Sequence, residues 1–294
     1  MKRKKLISIV GAGPAGIATA IQLKRYGYDP GLFEMDRIGG LLWNANFIEN
    51  YPGFPKGISG PQLIHLMEKQ MWNLEIKVID SYVEELDFDR GIHELSVGRK
   101  SYESEFVVIA SGTKPLSIPM NVPEELKLRI HQNIVNLLGV CEKHIIIIGS
   151  GDAAFDQAIN LSRNNTITIL NRNGQTNALP LLVERALANK KISYLLNINV
   201  YNIEIKPTSE KDAESPLIIH CKSGNKGKIT MECDEVVFAI GREPRLDFCK
   251  NIMTNEFCYM AGDVKNGIYR QVSIATGDGI MTAMKIHEII SARK

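Results

Sequence analysis

Cysteine is scarce in this chain, and the few residues present do not pair. The five cysteines (Cys141, Cys221, Cys233, Cys249 and Cys258) form no Cys-x-x-Cys and no metal-ligand spacing, so they read as scattered thiols filling small core positions. The six histidines show no paired helical spacing, and no metal site is expected. Long apolar runs are missing too. After the basic start Met1–Lys5 comes only Leu6 to Val10 before a glycine turn, whereas a signal sequence needs a longer apolar stretch and a membrane span needs roughly 20 residues. The expectation is a cytoplasmic protein with no membrane partner, its first lysines keeping the outer end of a strand soluble. Charge is not lopsided either. A formal net charge of +2 leaves no basic footprint for nucleic acid. What remains, 294 residues with 44% hydrophobic and 23% charged, suits two globular domains.

Two segments repeat one grammar. The first runs through an apolar strand, Leu6–Val10, a turn Gly11-Ala-Gly13-Pro14-Ala15-Gly16, a helical stretch to Tyr26 and a second strand, Gly31–Glu34. The second runs through His144–Ile148, Gly149-Ser-Gly151-Asp152-Ala153-Ala154, a helix to about Arg163 and a strand from Thr166 to Asn171. Twenty-three positions separate Gly11 from Glu34, and 22 separate Gly149 from Asn171. Each copy has the length of a strand–helix–strand crossover. Further apolar runs, Glu105–Ala110 and Glu235–Ile240, each lead to a glycine, Gly112 or Gly241. Alternating stretches at His93–Val97 and Leu217–His220 suggest antiparallel meanders. Tyr259 to Lys294 reads as a strand end, a loop and one long helix. The expected fold class is α/β: two Rossmann-like three-layer nucleotide-binding domains, the second inserted into the first.

The chemistry of each motif follows from its residue types. In Gly11-x-Gly13-x-x-Gly16 the first glycine permits the turn and the second admits a pyrophosphate. The third lets helix pack on strand, and the helix N-terminus offers unpaired N–H groups. Glu34, ending the second strand, can accept both hydroxyls of an adenosine ribose. In the second fingerprint Ala154 still allows close packing, but Asn171-Arg172 replaces the acid. Arg172 leans that site towards a 2′-phosphate, hence NADP; a solvated surface charge is the plain alternative. Gly262-Asp263, followed by Arg270-Gln271-Val272 before a helix, forms a third constellation. There an aspartate could hold a polyol hydroxyl and a helix N-terminus could face a flavin pyrimidine.

Together these residues resemble the low-molecular-weight thioredoxin reductases of the pyridine nucleotide-disulfide oxidoreductase superfamily. The shared stretches are Gly39-Gly-Leu-Leu42, Ile48–Pro55 with Gly57–Gly60, Ala110-Ser-Gly112, Gly149–Ala158, Ala239–Pro244, and Ala261–Asp263 through Tyr269–Gln271. The resemblance implies an FAD-binding domain over 1–117 and 243–294, an NAD(P)-binding domain over 118–242, and a homodimer. It implies that Gly11, Gly13, Pro14, Ala15, Gly16, Glu34, Gly40, Leu41, Asn50 and Val83 line FAD. Ala110, Gly112, Gly262, Asp263, Arg270, Gln271 and Val272 complete that set. Gly149, Gly151, Asp152, Ala153, Ala154, Asp156, Arg172 and Gly241 would line NADPH or NADH. The connectors Lys114–Pro119 and Gly241–Pro244 would be hinges.

The departures matter as much. These relatives carry a redox Cys-x-x-Cys just upstream of the second fingerprint, where this chain has His131-Gln-Asn-Ile-Val135. Without two placed sulfurs the usual dithiol route to thioredoxin is closed. The family's His-Arg-Arg-x-x-x-Arg cluster has become Asn171-Arg172-Asn173 through Asn177, with one arginine of three. His131 could face the flavin or sit in a surface loop. Trp43, Phe47 and Tyr51 read as packing around the flavin edge. The implied function is an NAD(P)H-dependent FAD oxidoreductase with an unidentified electron acceptor, which could itself be a redox protein, and with no catalytic acid–base side chain. Two alternatives stay open: a flavin electron-transfer partner of ferredoxin or another redox protein with a vestigial nicotinamide site, and a non-catalytic FAD-binding regulatory subunit.

Overall fold

A computed structural model describes residues 2–89, 91–207, 215–224, 227–249 and 257–293. The side chains of residues 2–5, on which the expectation of a solubilising basic end rests, lie outside the described set. The chain forms two compact units. Unit 1 comprises 1–43, 48–114 and 242–294; unit 2 comprises 44–47 and 115–241. The short excursion at 44–47 has no signature in the sequence.

Along the chain, unit 1 begins with β1 (Lys2–Val10), α1 (Pro14–Arg25), β2 (Gly31–Glu34), α2 (Gly60–Asn73) and β3 (Val78–Asp80). β4 (Glu85–Asp89), β5 (Ile92–Val97), β6 (Lys100–Ile109) and β7 (Thr113–Pro115) follow. Unit 2 carries β8 (Ile130–His131), β9 (His144–Ile148), α3 (Asp152–Leu161), β10 (Thr166–Leu170), α4 (Pro180–Leu187) and β11 (Ile192–Leu195). It continues with β12 (Ile198–Ile205), β13 (Leu217–Ser223), β14 (Gly227–Cys233) and β15 (Glu235–Phe238). The chain then returns to unit 1 with β16 (Arg242–Pro244), β17 (Cys258–Met260) and α5 (Val272–Ser291).

In unit 1 the main sheet has the order β3-β2-β1-β6-β5-β4, with β17 also on β6. β1 runs parallel to both β2 and β6, while β4, β5 and β6 form the antiparallel meander that alternation at His93–Val97 suggests. The inner end of β1 is buried on both faces, at Ile7, Ser8, Ile9 and Val10, while Leu6 is exposed. The one polar group among them is satisfied, Ser8 Oγ lying 2.6 Å from Ser104 Oγ. α1 and α5 cross closely because Gly279 lacks a Cβ that would strike the Ala15 carbonyl oxygen.

Unit 2 repeats the plan with an all-parallel sheet, β11-β10-β9-β15-β8. Beside it stands the antiparallel meander β12-β13-β14. Phe155 on α3 is fully buried and meets Tyr194 edge-on at 5.2 Å. β15 stops at Phe238, short of the expected Ile240; Ala239 N still donates to the Ile148 carbonyl at 2.8 Å, and the chain bends at Ile240. α2 and α4 are elements that hydrophobic periodicity alone did not single out. Among the described residues no helix is long and apolar enough to cross a membrane.

Two candidate dinucleotide sites

Both units place their glycine turn where the strand order reverses about a central parallel strand, the position at which open α/β sheets hold ligands. At the end of β1, Gly11 has φ +105°, and a Cβ there would run into the Ala110 carbonyl oxygen at the end of β6. At the end of β9, Gly149 has φ +127°, and a Cβ would meet the Ala239 carbonyl oxygen just past β15. The same close approach is built twice. In each turn the second glycine, Gly13 or Gly151, faces open space, and each is the N-cap of its helix without a side-chain cap. The first-turn N–H groups of α1 and α3 are therefore available to an anion.

The first site gathers several sequence-designated residues. Glu34 Oε2 accepts from Ala12 N at 2.7 Å, and its Oε1 accepts from Met35 N at 3.0 Å and Asp36 N at 3.1 Å. The carboxylate is thus held against the turn with about one lone-pair site, on Oε2, left for a ribose hydroxyl. Pro14 opens α1; Ala15 and Gly16 are buried beneath the turn. Gly40 comes within contact of Gly13 Cα, 3.7 Å from its notional Cβ, and Gly112 has φ +65°. Leu41 is partly exposed, and Val83 lies in the core with Val10 and Phe33.

The third constellation joins this site through Gly262, whose notional Cβ would lie 2.8 Å from the Ala15 side chain. α5 also starts without a side-chain cap, at Gln271 and Val272. Asn50 Nδ2 donates to Gln271 Oε1 at 2.9 Å, and Ser273 Oγ donates to the Asn50 carbonyl at 3.3 Å. Burial raises the Asp263 carboxyl, opposed by Arg270 and Arg242. These features, two uncapped helix starts, an open glycine and a fixed carboxylate, fit FAD.

Sequence reasoning missed three residues here. Asp278 is buried on α5; its Oδ2 accepts from Gly262 N at 3.0 Å and Asn266 Nδ2 at 2.6 Å, while Lys265 Nζ lies 3.0 Å from Oδ1. An acid flanked by Gly277 and Gly279 inside an apolar helix was the available signal. Arg242 is held by Thr113, Nε to Oγ1 at 2.9 Å and Nη2 to the carbonyl at 2.8 Å. Its guanidinium is brought down to about 10 by burial and by Arg270 and Arg245, with Asp263 opposing. Arg245 Nη1 lies 3.8 Å from Met35 Sδ.

In the second site Asp152 Oδ1 accepts from Leu179 N at 2.8 Å, steadying the start of α4. Thr176 Oγ1 donates to the Ser150 carbonyl. Ala153 is exposed and Ala154 fully buried, and Gly241 has φ +121°. Asn171, where an acid would meet a ribose, is buried and committed internally. Its Nδ2 donates to the Gln175 carbonyl at 2.9 Å and lies 2.8 Å from the Tyr194 hydroxyl, while its Oδ1 accepts from Asn173 N. Arg172 is exposed. Asp156 accepts from Asn46 N at 2.9 Å and is pushed up to about 6 by burial, against hydrogen bonds from Asn46 and Phe47 and the charge of Arg163. This site fits a nicotinamide dinucleotide at its pyrophosphate, with no carboxylate at the strand end to repel a 2′-phosphate.

His131 is not a loop residue. It stands on β8, and its Nε2 lies 2.9 Å from Glu235 Oε2. The three aromatics do not behave as one cluster: Trp43 Nε1 donates to the Ile38 carbonyl at 2.8 Å, Tyr51 stacks on Phe54, and Phe47 is exposed.

Two Rossmann-like units, each with a dinucleotide-binding turn, define the class. The chain belongs to the pyridine nucleotide-disulphide oxidoreductase family, whose pattern matches residues 5–279. It is 30% identical over 315 residues to the thioredoxin reductase of Chlamydia trachomatis serovar D, covering 97% of each chain. It is 27% identical over 317 residues to that of Rickettsia typhi, covering 99% of this chain and 100% of the relative. In fold it resembles the thioredoxin reductases of Lactococcus lactis (TM-score 0.87, 22% identity, 97% of this chain and 99% of that one) and T. acidophilum (0.86, 23%, 98% and 99%). Proteins of the thioredoxin reductase family use FAD and NADPH, the pair that the two sites fit.

Proposed function

We propose that this protein is an NAD(P)H-dependent FAD oxidoreductase that passes electrons to an external acceptor without an active-site disulfide. The carrying observation is the pairing of two intact dinucleotide turns with a sequence that holds no Cys-x-x-Cys, the stretch upstream of the second turn being His131-Gln-Asn-Ile-Val135. Burial pushes the thiols of Cys221 and Cys258 up to about 11 and those of Cys233 and Cys249 up to about 12, which suppresses the reactive thiolate. Bound FAD supplies the electron-carrying chemistry. The chain's own part is to hold it: α1 and Gly13 at the pyrophosphate, Glu34 at the ribose, Asp263 and Arg270 along the polyol, and Gln271, Val272 and the start of α5 at the isoalloxazine. In this reading residues 1–117 and 243–294 form the FAD domain and residues 118–242 the NAD(P) domain. Gly151, Asp152, Ala153 and Arg172 receive the nicotinamide dinucleotide, and no side chain serves as acid or base.

The protein is further read as cytoplasmic and homodimeric. The dimer reading is supported by large apolar side chains left at the surface of unit 1, with Ile268 80%, Tyr269 70% and Met284 51% exposed. A sedimentation-equilibrium mass of one chain would overturn it. The function is tested by anaerobic stopped-flow of the purified protein with NADH and NADPH, watching flavin absorbance. Fast bleaching is expected, stronger with NADPH. Full retention of flavin colour would instead favour an electron-transfer protein fed by a redox partner, a reading that the internally committed Asn171 supports.

A further inference from the structure

Asp278 is an acid buried inside α5, a costly placement unless its lone pairs find donors. Its donors come from one short stretch, residues 262–266. Gly262 N donates to Oδ2 at 3.0 Å, Asn266 Nδ2 donates to the same oxygen at 2.6 Å, and Lys265 Nζ lies 3.0 Å from Oδ1. Asn266 Nδ2 also donates to the Gly262 carbonyl at 2.9 Å, and Lys265 N donates to that carbonyl at 3.1 Å. The turn is thereby fastened on both sides of Gly262, whose φ of +80° suits glycine alone at little cost.

The base of this tie is rigid. Gly279, the next residue, approaches α1 so closely that a Cβ would lie 2.3 Å from the Ala15 carbonyl oxygen and 3.0 Å from Thr19 N. Gly262 meets the same helix at the Ala15 side chain, 2.8 Å from its notional Cβ. Carboxylate and turn are therefore both referenced to the opening turns of α1. At the far end of the tie stands Asp263. Burial and the charges of Arg270 and Arg242 act on its carboxyl, yet among the described residues no group donates a hydrogen bond to it. Its direction is left to the backbone of the turn, and Asp278 fixes that backbone.

We infer that Asp278 is a positioning residue for the flavin, holding the 262–266 turn so that Asp263 is aimed at the polyol of FAD. This rests on the reading of unit 1 as the FAD domain. The test is FAD affinity, by flavin fluorescence titration of deflavinated wild-type, D263N, D278N, N266A and the two doubles that add D263N. D263N and D278N should each weaken FAD about tenfold. The double D263N/D278N should be no weaker than D263N alone, because the two residues act in series. N266A removes one tie and leaves the acid in α5, so it should follow the same pattern, and it decides the matter should D278N fail to fold. The visible circular dichroism of bound FAD, which reports how the ring is held, should change alike in D263N and D278N. Additive losses in the doubles would overturn the inference. So would a D278N protein with a lowered melting temperature but unchanged FAD affinity and dichroism, which would leave Asp278 a packing residue of α5. Failure of wild-type protein to bind FAD at all would sink the functional reading itself, a separate outcome.

Discussion

At the scale of single residues, Asp156 is a carboxylate that the fold makes hard to ionise. Its carboxyl is pushed up to about 6 from 3.8 by burial, and the N–H groups of Asn46 and Phe47 and the charge of Arg163 only partly offset this. Because its folded pKa exceeds its unfolded one, the folded state binds the proton more tightly. Asp156 therefore favours folding below about pH 4, and that contribution is lost as pH climbs through 6. Above pH 7 the ionised group costs on the order of 2–3 kcal/mol relative to an unperturbed carboxylate. Asp156→Asn should remove this slope. Melting temperatures compared between pH 4 and 7 should show wild type losing ground to the variant as pH rises and then running parallel. Curves parallel throughout would refute the assignment.

At the scale of elements, α2 shows how local signals set a boundary. Ser59 Oγ accepts from Gln62 N at 3.3 Å and Gln62 Oε1 accepts from Ser59 N at 3.3 Å, a reciprocal cap before a face formed by Leu63, Ile64, Met67 and Met71. Ser59→Ala should cost about 1 kcal/mol and speed amide exchange in the first turn of α2 about fivefold. Equal exchange would mean the cap contributes little. α2 went unread in the sequence despite this local cap, whereas the elements around the first glycine turn were legible. β1, α1 and β2 follow from an apolar run, a glycine turn and a terminal acid within 34 residues. Asp278 and Arg245 were not legible, because their meaning lies in contacts with Gly262 and Met35 that only the closed fold creates. The Arg245–Met35 contact spans 210 positions.

At the scale of the whole molecule, the duplication written in the two fingerprints reappears as one backbone approach made twice, Gly11 against Ala110 and Gly149 against Ala239. That much could be read ahead, since a strand–turn–helix–strand unit is set by periodicity and glycine spacing. The passage of residues 44–47 into unit 2 could not, since its ties, Asn44 Oδ1 to Ile134 N at 2.9 Å and Arg163 Nη2 to Asn46 Oδ1 at 2.7 Å, carry no pattern in sequence. The burial of the thiols has a practical side as well. Cys141 alone is exposed, while Cys221, Cys233 and Cys258 are buried and Cys249 is partly covered with its thiol pushed up to about 12. A maleimide added to the native protein should attach once, at Cys141, and intact-mass spectrometry should count one adduct before denaturation and five after. Rapid native addition of two or more would contradict this. The wild-type chain thus arrives with a single chemical handle on unit 2, where a fluorophore can report nucleotide binding without an engineered cysteine.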